Sequence, residues 1–245
     1  MRESPDATRL GINRTGMQTS PKHSKEMLES TDIVPSDAAD GQSVATVRLE
    51  YIEEADPLGS IPPPATAKAI VKSAAKMLTG RRPQVFIDKL AERLAFERGG
   101  TRLYDAVLAK FDVHGDELPD VTADSILEIR NQEAEHALLV QECLETLGAD
   151  PTAQTPCADL VGVQTMGLLQ AACDPRTTLA QTLSCALAAE LIDNAGWETL
   201  IDLARSMGQD DMARRFTEAL EQEGEHLAKV RRWYDVLTLE TTELM

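Results

Sequence analysis

Aromatic residues are scarce in this chain of 245 residues, at 4%. Strands of sandwiches and barrels draw on aromatic side chains, so the shortage argues against an all-β fold and suits helices rich in Ala and Leu. Positive charge is also short. There are 24 Lys+Arg against 41 Asp+Glu, a net charge of −17. A surface of that sign repels phosphate backbones and anionic lipid, which argues against nucleic acid and membranes as partners. No stretch approaches the roughly 18 uninterrupted apolar residues of a membrane span. The opening MRESPDATRL carries no apolar signal core, so no secretory leader is expected. No CxxC occurs among Cys143, Cys157, Cys173 and Cys185, so zinc-ribbon, rubredoxin and thioredoxin sites lack their ligand spacing. The four are expected to be reduced thiols in a cytoplasmic protein, packed as small buried hydrophobes.

What is present divides near residue 65. Residues 1–43 are rich in Ser, Thr, Asp, Gly and Pro without an apolar period, which predicts an arm with little structure of its own. Val47, Leu49 and Tyr51 alternate with Arg48 and Glu50, a weak strand signal. The Pro57–Pro64 stretch reads as a stiff linker, so residues 1–65 form an arm plus linker. Residues 66–82 follow as a short basic helix, whose amphipathic part is TAKAIVKSAAKMLT at 66–79.

From Pro83 to the end, 83–245, the punctuation is that of four long helices. Pro83 and Gly115 bracket the first, Thr122 or Asp124 caps the second, and Gly148 with Pro151 follows it. Asp174-Pro175 reads as the cap of the third, Gly208 as its end and Asp210 as the start of the fourth. The segments span about 24 to 30 residues, with connections of about ten residues inside each pair. The long stretch between Leu147 and Thr177 is a crossover along the bundle, and residues 160–172 are apolar enough to pack outside it as a short helix. The expected fold is all-α: two helical hairpins joined by a long crossover.

Each helix carries an apolar seam at 3-4 spacing, and each seam turns polar at its middle. Glu97 interrupts the first, between Leu94 and Tyr104. Glu133 and His136 interrupt the second, Glu190 the third, and Glu223 with His226 the fourth. A buried unpaired carboxylate costs several kcal/mol. Four carboxylates facing one another carry −4, and two divalent ions carrying +4 remove the conflict. Glu and His at i and i+3 share a helix face, so both reach one centre. The pattern also repeats. Gln132-Glu-Ala-Glu-His136 returns as Gln222-Glu-Gly-Glu-His226, and Glu97 and Glu190 are each followed seven residues later by an aromatic, Tyr104 and Trp197. The halves read as a duplicated hairpin. Glu135 and Glu225 lie off the seams, toward solvent. Tyr104 and Trp197 read as core aromatics, and His23 and His114 as exposed loop residues.

One Glu on each of two helices plus Glu-x-x-His on the other two resembles the ferritin-like di-iron carboxylate bundles. The resemblance covers about residues 84–240. It implies that Glu97 and Glu190 are terminal metal ligands, that Glu133 and Glu223 bridge, and that His136 and His226 bind one metal each. It places Tyr104 and Trp197 around the ligands. Asp193, one turn after Glu190, becomes an extra ligand or an acceptor beside the ligands. Ala134 stands where bacterioferritin-type chains have a haem-binding Met. The missing CxxC removes a rubrerythrin-like electron path. The residues ahead of position 80 have no counterpart in a simple cage subunit.

Glu and His ligands suit two iron ions, with manganese as the alternative. The expectation is a di-iron oxidase, of ferroxidase or oxygenase type, acting on O2 or peroxide. A small organic molecule is a further partner, which the sequence does not identify. The alternatives are a metal-binding or iron-storage protein without turnover, a dimanganese catalase-like enzyme, and a structural bundle without metal. The arm is long enough to wrap a second copy, which would make a homodimer.

Overall fold

Threonine and proline begin most of the helices. Pro83 occupies the first turn of one, where its missing N–H costs nothing. Thr122, Thr155 and Thr178 each accept a backbone N–H from the residue three further on. In the computed structural model, residues 21–33, 41–63 and 82–243 are described. The helices among them are α1 (Pro21–Ile33), α2 (Gly41–Glu54), α3 (Pro83–His114), α4 (Ala123–Leu147), α5 (Pro156–Cys173), α6 (Leu179–Ser206) and α7 (Asp210–Glu243). A short 3-10 turn at Gly115–Glu117 follows α3.

The two N-terminal helices belong to a unit of their own, residues 6–58, and the bundle belongs to a second unit that includes residues 59–245. Residues 47–51 are helical within α2 rather than a strand. Five alternating residues are too few to fix a strand when the described residues hold no partner strand to take its backbone hydrogen bonds. Residues 21–33 are likewise helical, in a region expected to have little structure. His23 is exposed but lies on α1 rather than in a loop. The expected basic helix at 66–79 lies outside the described residues. Residues 55–63 of the Pro-rich stretch are non-helical.

The bundle is all-α, with α3 and α4 forming one hairpin and α6 and α7 the other. At 32, 25, 28 and 34 residues the helices include two longer than the sequence suggested. The α6–α7 connection is only Met207–Gln209, shorter than expected, because Gly208 at φ 66 turns the chain within one residue. Gly148 at φ 81 ends α4 in the same left-handed way, a conformation glycine adopts without a Cβ penalty. The third helix begins at Leu179, not at Asp174-Pro175. Thr178 and Gln181 form a reciprocal capping box there, and Asp174 instead closes α5 and accepts the Arg176 backbone N–H at 2.9 Å. The crossover helix α5 packs against α3 and α6.

Two apolar cores sit at different heights along the four long helices. One joins Phe86, Leu90 and Leu94 of α3 to Val140, Leu144, Trp197, Leu200, Met212 and Phe216. The other joins Leu103, Tyr104 and Val107 of α3 to Ile126, Ile129, Leu179, Leu183, Val230, Trp233 and Leu237. Each helix thus enters one core through its first half and the other through its second. The polar interruptions of all four seams fall between them. Cys143 alone of the cysteines is fully buried. Cys157 and Cys185 are half-buried, Cys173 is exposed, and all four are free thiols. Among the described residues no helix is long and apolar enough to cross a membrane.

Candidate metal centre

The belt between the cores holds Glu97 on α3, Glu133 and His136 on α4, Glu190 and Asp193 on α6, and Glu223 and His226 on α7, all buried. Their donor atoms converge. Glu133, Glu190, Glu223 and His226 each place one atom within 4.8 Å of the others, as do Glu97, His136 and Glu223. Glu223 belongs to both groups. A further group unites Glu97, Glu133, Asp193 and Glu223, so Glu133 also reaches both sides. His136 Nδ1 lies 2.6 Å from Glu223 Oε1 and 3.9 Å from Glu97 Oε2. His226 Nδ1 lies 3.1 Å from Glu223 Oε2 and 3.5 Å from Glu133 Oε1.

The two imidazoles are held by a reciprocal pair of glutamines. His136 Nε2 meets Gln222 Oε1 at 2.7 Å, and His226 Nε2 meets Gln132 Oε1 at 2.7 Å. An amide oxygen only accepts, so each Nε2 carries the proton and donates it. Each Nδ1 is then left with a lone pair aimed at the carboxylates when the ring is neutral. The glutamine of each pentapeptide orients the histidine of the other. The repeat was visible in the sequence, but the exchange of partners between helices was not.

Arg93 was also missed. It is buried and paired with Asp193, and its Nη1 lies 3.4 Å from Glu97 Oε1. Its guanidinium sits 4.8 Å from the Phe96 ring centre and 5.7 Å from that of Trp197. A Cβ on Gly196 would overlap this guanidinium, and one on Gly100 would overlap the Glu133 carboxylate. Asp193 thus has a cation beside it and also places an oxygen among those of Glu97, Glu133 and Glu223. Five buried carboxylates against one arginine leave −4 when the imidazoles are neutral, the same excess that two divalent ions cancel. The i,i+4 spacing of Arg93 and Glu97 was the available signal.

Tyr104 donates its hydroxyl to Glu190 Oε1. Trp197 packs edge-on to His136 with ring centres 5.5 Å apart, and tilts against Phe216 at 5.5 Å. Asn194 donates to the backbone oxygens of Glu190 and Glu223, tying α6 to α7. Glu135 and Glu225 are exposed, as expected from their off-seam positions. His114 is the last residue of α3, half-buried and 3.3 Å from Glu117, not a free loop residue.

Burial pushes Glu97 well above the usual carboxylate range, and the neighbouring Glu133 charge adds to it. Burial does the same to Glu133, reinforced by Glu223, and to Glu190, reinforced by Glu133. Glu223 is the exception. Burial opposes its charge, but the His136 and His226 imidazoles against its two oxygens hold it down to about 2. His136 is raised, because Glu223 and Glu97 outweigh the burial of its cation. Buried Glu97 Oε2, Glu190 Oε2, Glu223 Oε1 and His136 Nδ1 have no aligned hydrogen bond among the described residues. Orphaned donor atoms of this kind, all aimed into one belt, fit metal ligation.

The sequence profile of a ferritin-like domain matches residues 87–235, more than half of the chain and the whole of the belt. No curated protein matches the chain.

Proposed function

Since the chain belongs to the ferritin-like domain family, we propose that its belt holds two divalent metal ions, iron first, and that the protein is an oxidase acting on O2 or peroxide. The observation that supports this best is the division of the donors. Glu97 with His136, and Glu190 with His226, form two groups that share Glu223. Glu97 and Glu190 would be terminal ligands, Glu133 and Glu223 would bridge, and His136 and His226 would bind one ion each. Iron in such a centre supplies two electrons to O2 without an organic cofactor.

The residues around the ligands prepare the site. Gln132 and Gln222 fix the imidazole tautomer and ring plane, as a hydrogen-bonded partner does for a metal-binding histidine. Tyr104 holds one oxygen of Glu190 by a hydrogen bond, leaving Oε2 open. Arg93 neutralises Asp193 and biases Glu97 toward the charged form. Trp197 packs against the His136 ring and is itself backed by Phe216, which would hold that ring in place. Protons that burial keeps on Glu97, Glu133 and Glu190 leave when metal enters, so loading releases acid.

Anaerobic loading with Fe(II) followed by rapid mixing with O2 tests the reading. Oxidation of two irons per chain, much faster than free Fe(II) under the same conditions, is expected. Loading without accelerated oxidation would leave a storage or binding role. Oxygen evolution from peroxide with manganese bound, and not with iron, would assign the dimanganese chemistry instead.

A further inference from the structure

A pocket of about 260 Å³ lies between α3 and the crossover helix α5. Phe96, Gly99, Gly100 and Leu103 of α3, Gly162 of α5 and Ala189 of α6 line it. It is smaller than the roughly 300–1,000 Å³ of drug-sized sites, and its lining is mostly apolar. Three of its lining residues are neighbours of belt residues. Phe96 precedes Glu97, Ala189 precedes Glu190, and Gly100 lies against the Glu133 carboxylate so closely that a Cβ there would overlap Oε2.

The remaining lining residue of note is Arg102, which is exposed. Its Nη1 donates to Arg98 O at 2.8 Å, fixing one edge of the guanidinium on its own helix. Nearby Arg130 is taken by Asp105 at 2.9 Å. Among the described residues neither Arg98 nor Arg102 has a carboxylate within ion-pair distance. In a chain with 41 acidic residues, an arginine without a counter-ion beside an apolar pocket is a place for an anion from outside.

We propose that this pocket binds a small molecule with an apolar body and one anionic head, in kind a medium-chain carboxylate, with the body against Gly100 and the head on Arg102. Binding itself needs no metal. Its bearing on the reaction rests on the dinuclear reading.

Calorimetric titration of octanoate into the full chain, metal-free and Co(II)-loaded, tests it. One octanoate per chain is expected in both forms. A Cβ at Gly99 would meet only Thr165 Oγ1 at 3.8 Å, and one at Gly162 would meet nothing within 4 Å, so either position accepts a side chain. Gly99→Leu fills the pocket and lowers octanoate affinity by about tenfold or more. If that variant does not fold, Gly162→Phe takes its place. Arg102→Gln weakens octanoate about fivefold and leaves 1-octanol unchanged, the size of an exposed ion pair. Octanoate also shifts the visible Co(II) bands in the unmodified protein and not in Gly99→Leu. The proposal is overturned if octanoate binds neither form, or binds the filled variant as tightly as the unmodified chain. Octanoate binding in a protein that takes up no Co(II) would sustain the pocket and sink the metal centre.

Discussion

Gln132 and Gln222 each hold a histidine belonging to the opposite helix at 2.7 Å, and this pair decides which ring nitrogen faces the carboxylates. Replacing either with Leu removes the acceptor and leaves Nε2–H buried. Metal affinity is expected to fall about 10- to 100-fold, the usual effect of losing such a partner, as read by competition with a chelator. Unchanged affinity in both variants would mean that packing alone orients the rings. Two glycines separate steric need from helix propensity. Gly196→Ala collides with the Arg93 guanidinium and breaks a buried pair, at a cost of about 3–5 kcal/mol in urea unfolding. Gly224→Ala, in the second pentapeptide, meets nothing within 4 Å and should stabilise by about 0.5–1 kcal/mol. The six Glu and His positions were readable because each is a polar residue in an apolar seam. Arg93 was not, because a long cationic side chain one step off the seam reads as surface until its partner Asp193 on another helix is known.

Helix starts show where local and tertiary signals part. Thr122 and Asp124 were both candidate caps, and Thr122 is the one that accepts the Ser125 backbone N–H, whereas Asp174-Pro175 looked like a cap and serves the end of α5 instead. The capping box at Thr178 and Gln181 satisfies two backbone groups reciprocally. Thr178→Ala is therefore expected to cost about 1 kcal/mol in chemical denaturation, and a neutral result would move the true start of α6 elsewhere. The crossover helix was legible from its apolar run and its length. Its packing against α3 and α6, and the pocket this leaves, depend on tertiary placement and had no sequence signal. The alternation at Val47, Leu49 and Tyr51 misled because α2 exposes these side chains, so no buried face was there to set the period.

Across the bundle, two apolar cores fold around a belt of buried carboxyl groups, and without metal burial opposes their ionisation. Glu97, Glu133 and Glu190 are raised above the ordinary 4.5 by burial. A group raised on folding contributes stability that is full below its unfolded value and is lost as pH rises through the folded one. His136, raised above 6.5, acts in the same sense. Glu223, held near 2, contributes in the opposite sense, but its share is lost only as pH falls below 4.5. Metal-free protein should therefore lose stability as pH rises above 4.5, and a divalent ion should restore it, most strongly at the alkaline end. Thermal melts with and without EDTA across that range check the slope. Equal melting temperatures at every pH would show a belt indifferent to metal.

Metal content measures the central claim most directly. Elemental analysis of the purified full chain, after anaerobic Fe(II) loading and removal of loosely bound ions, should give about two iron atoms per chain, the number that cancels the −4 of the belt. The Glu133→Ala/Glu223→Ala variant should give none. No retained metal in the unmodified protein, or the same two atoms in the variant, would contradict a dinuclear centre built on these carboxylates.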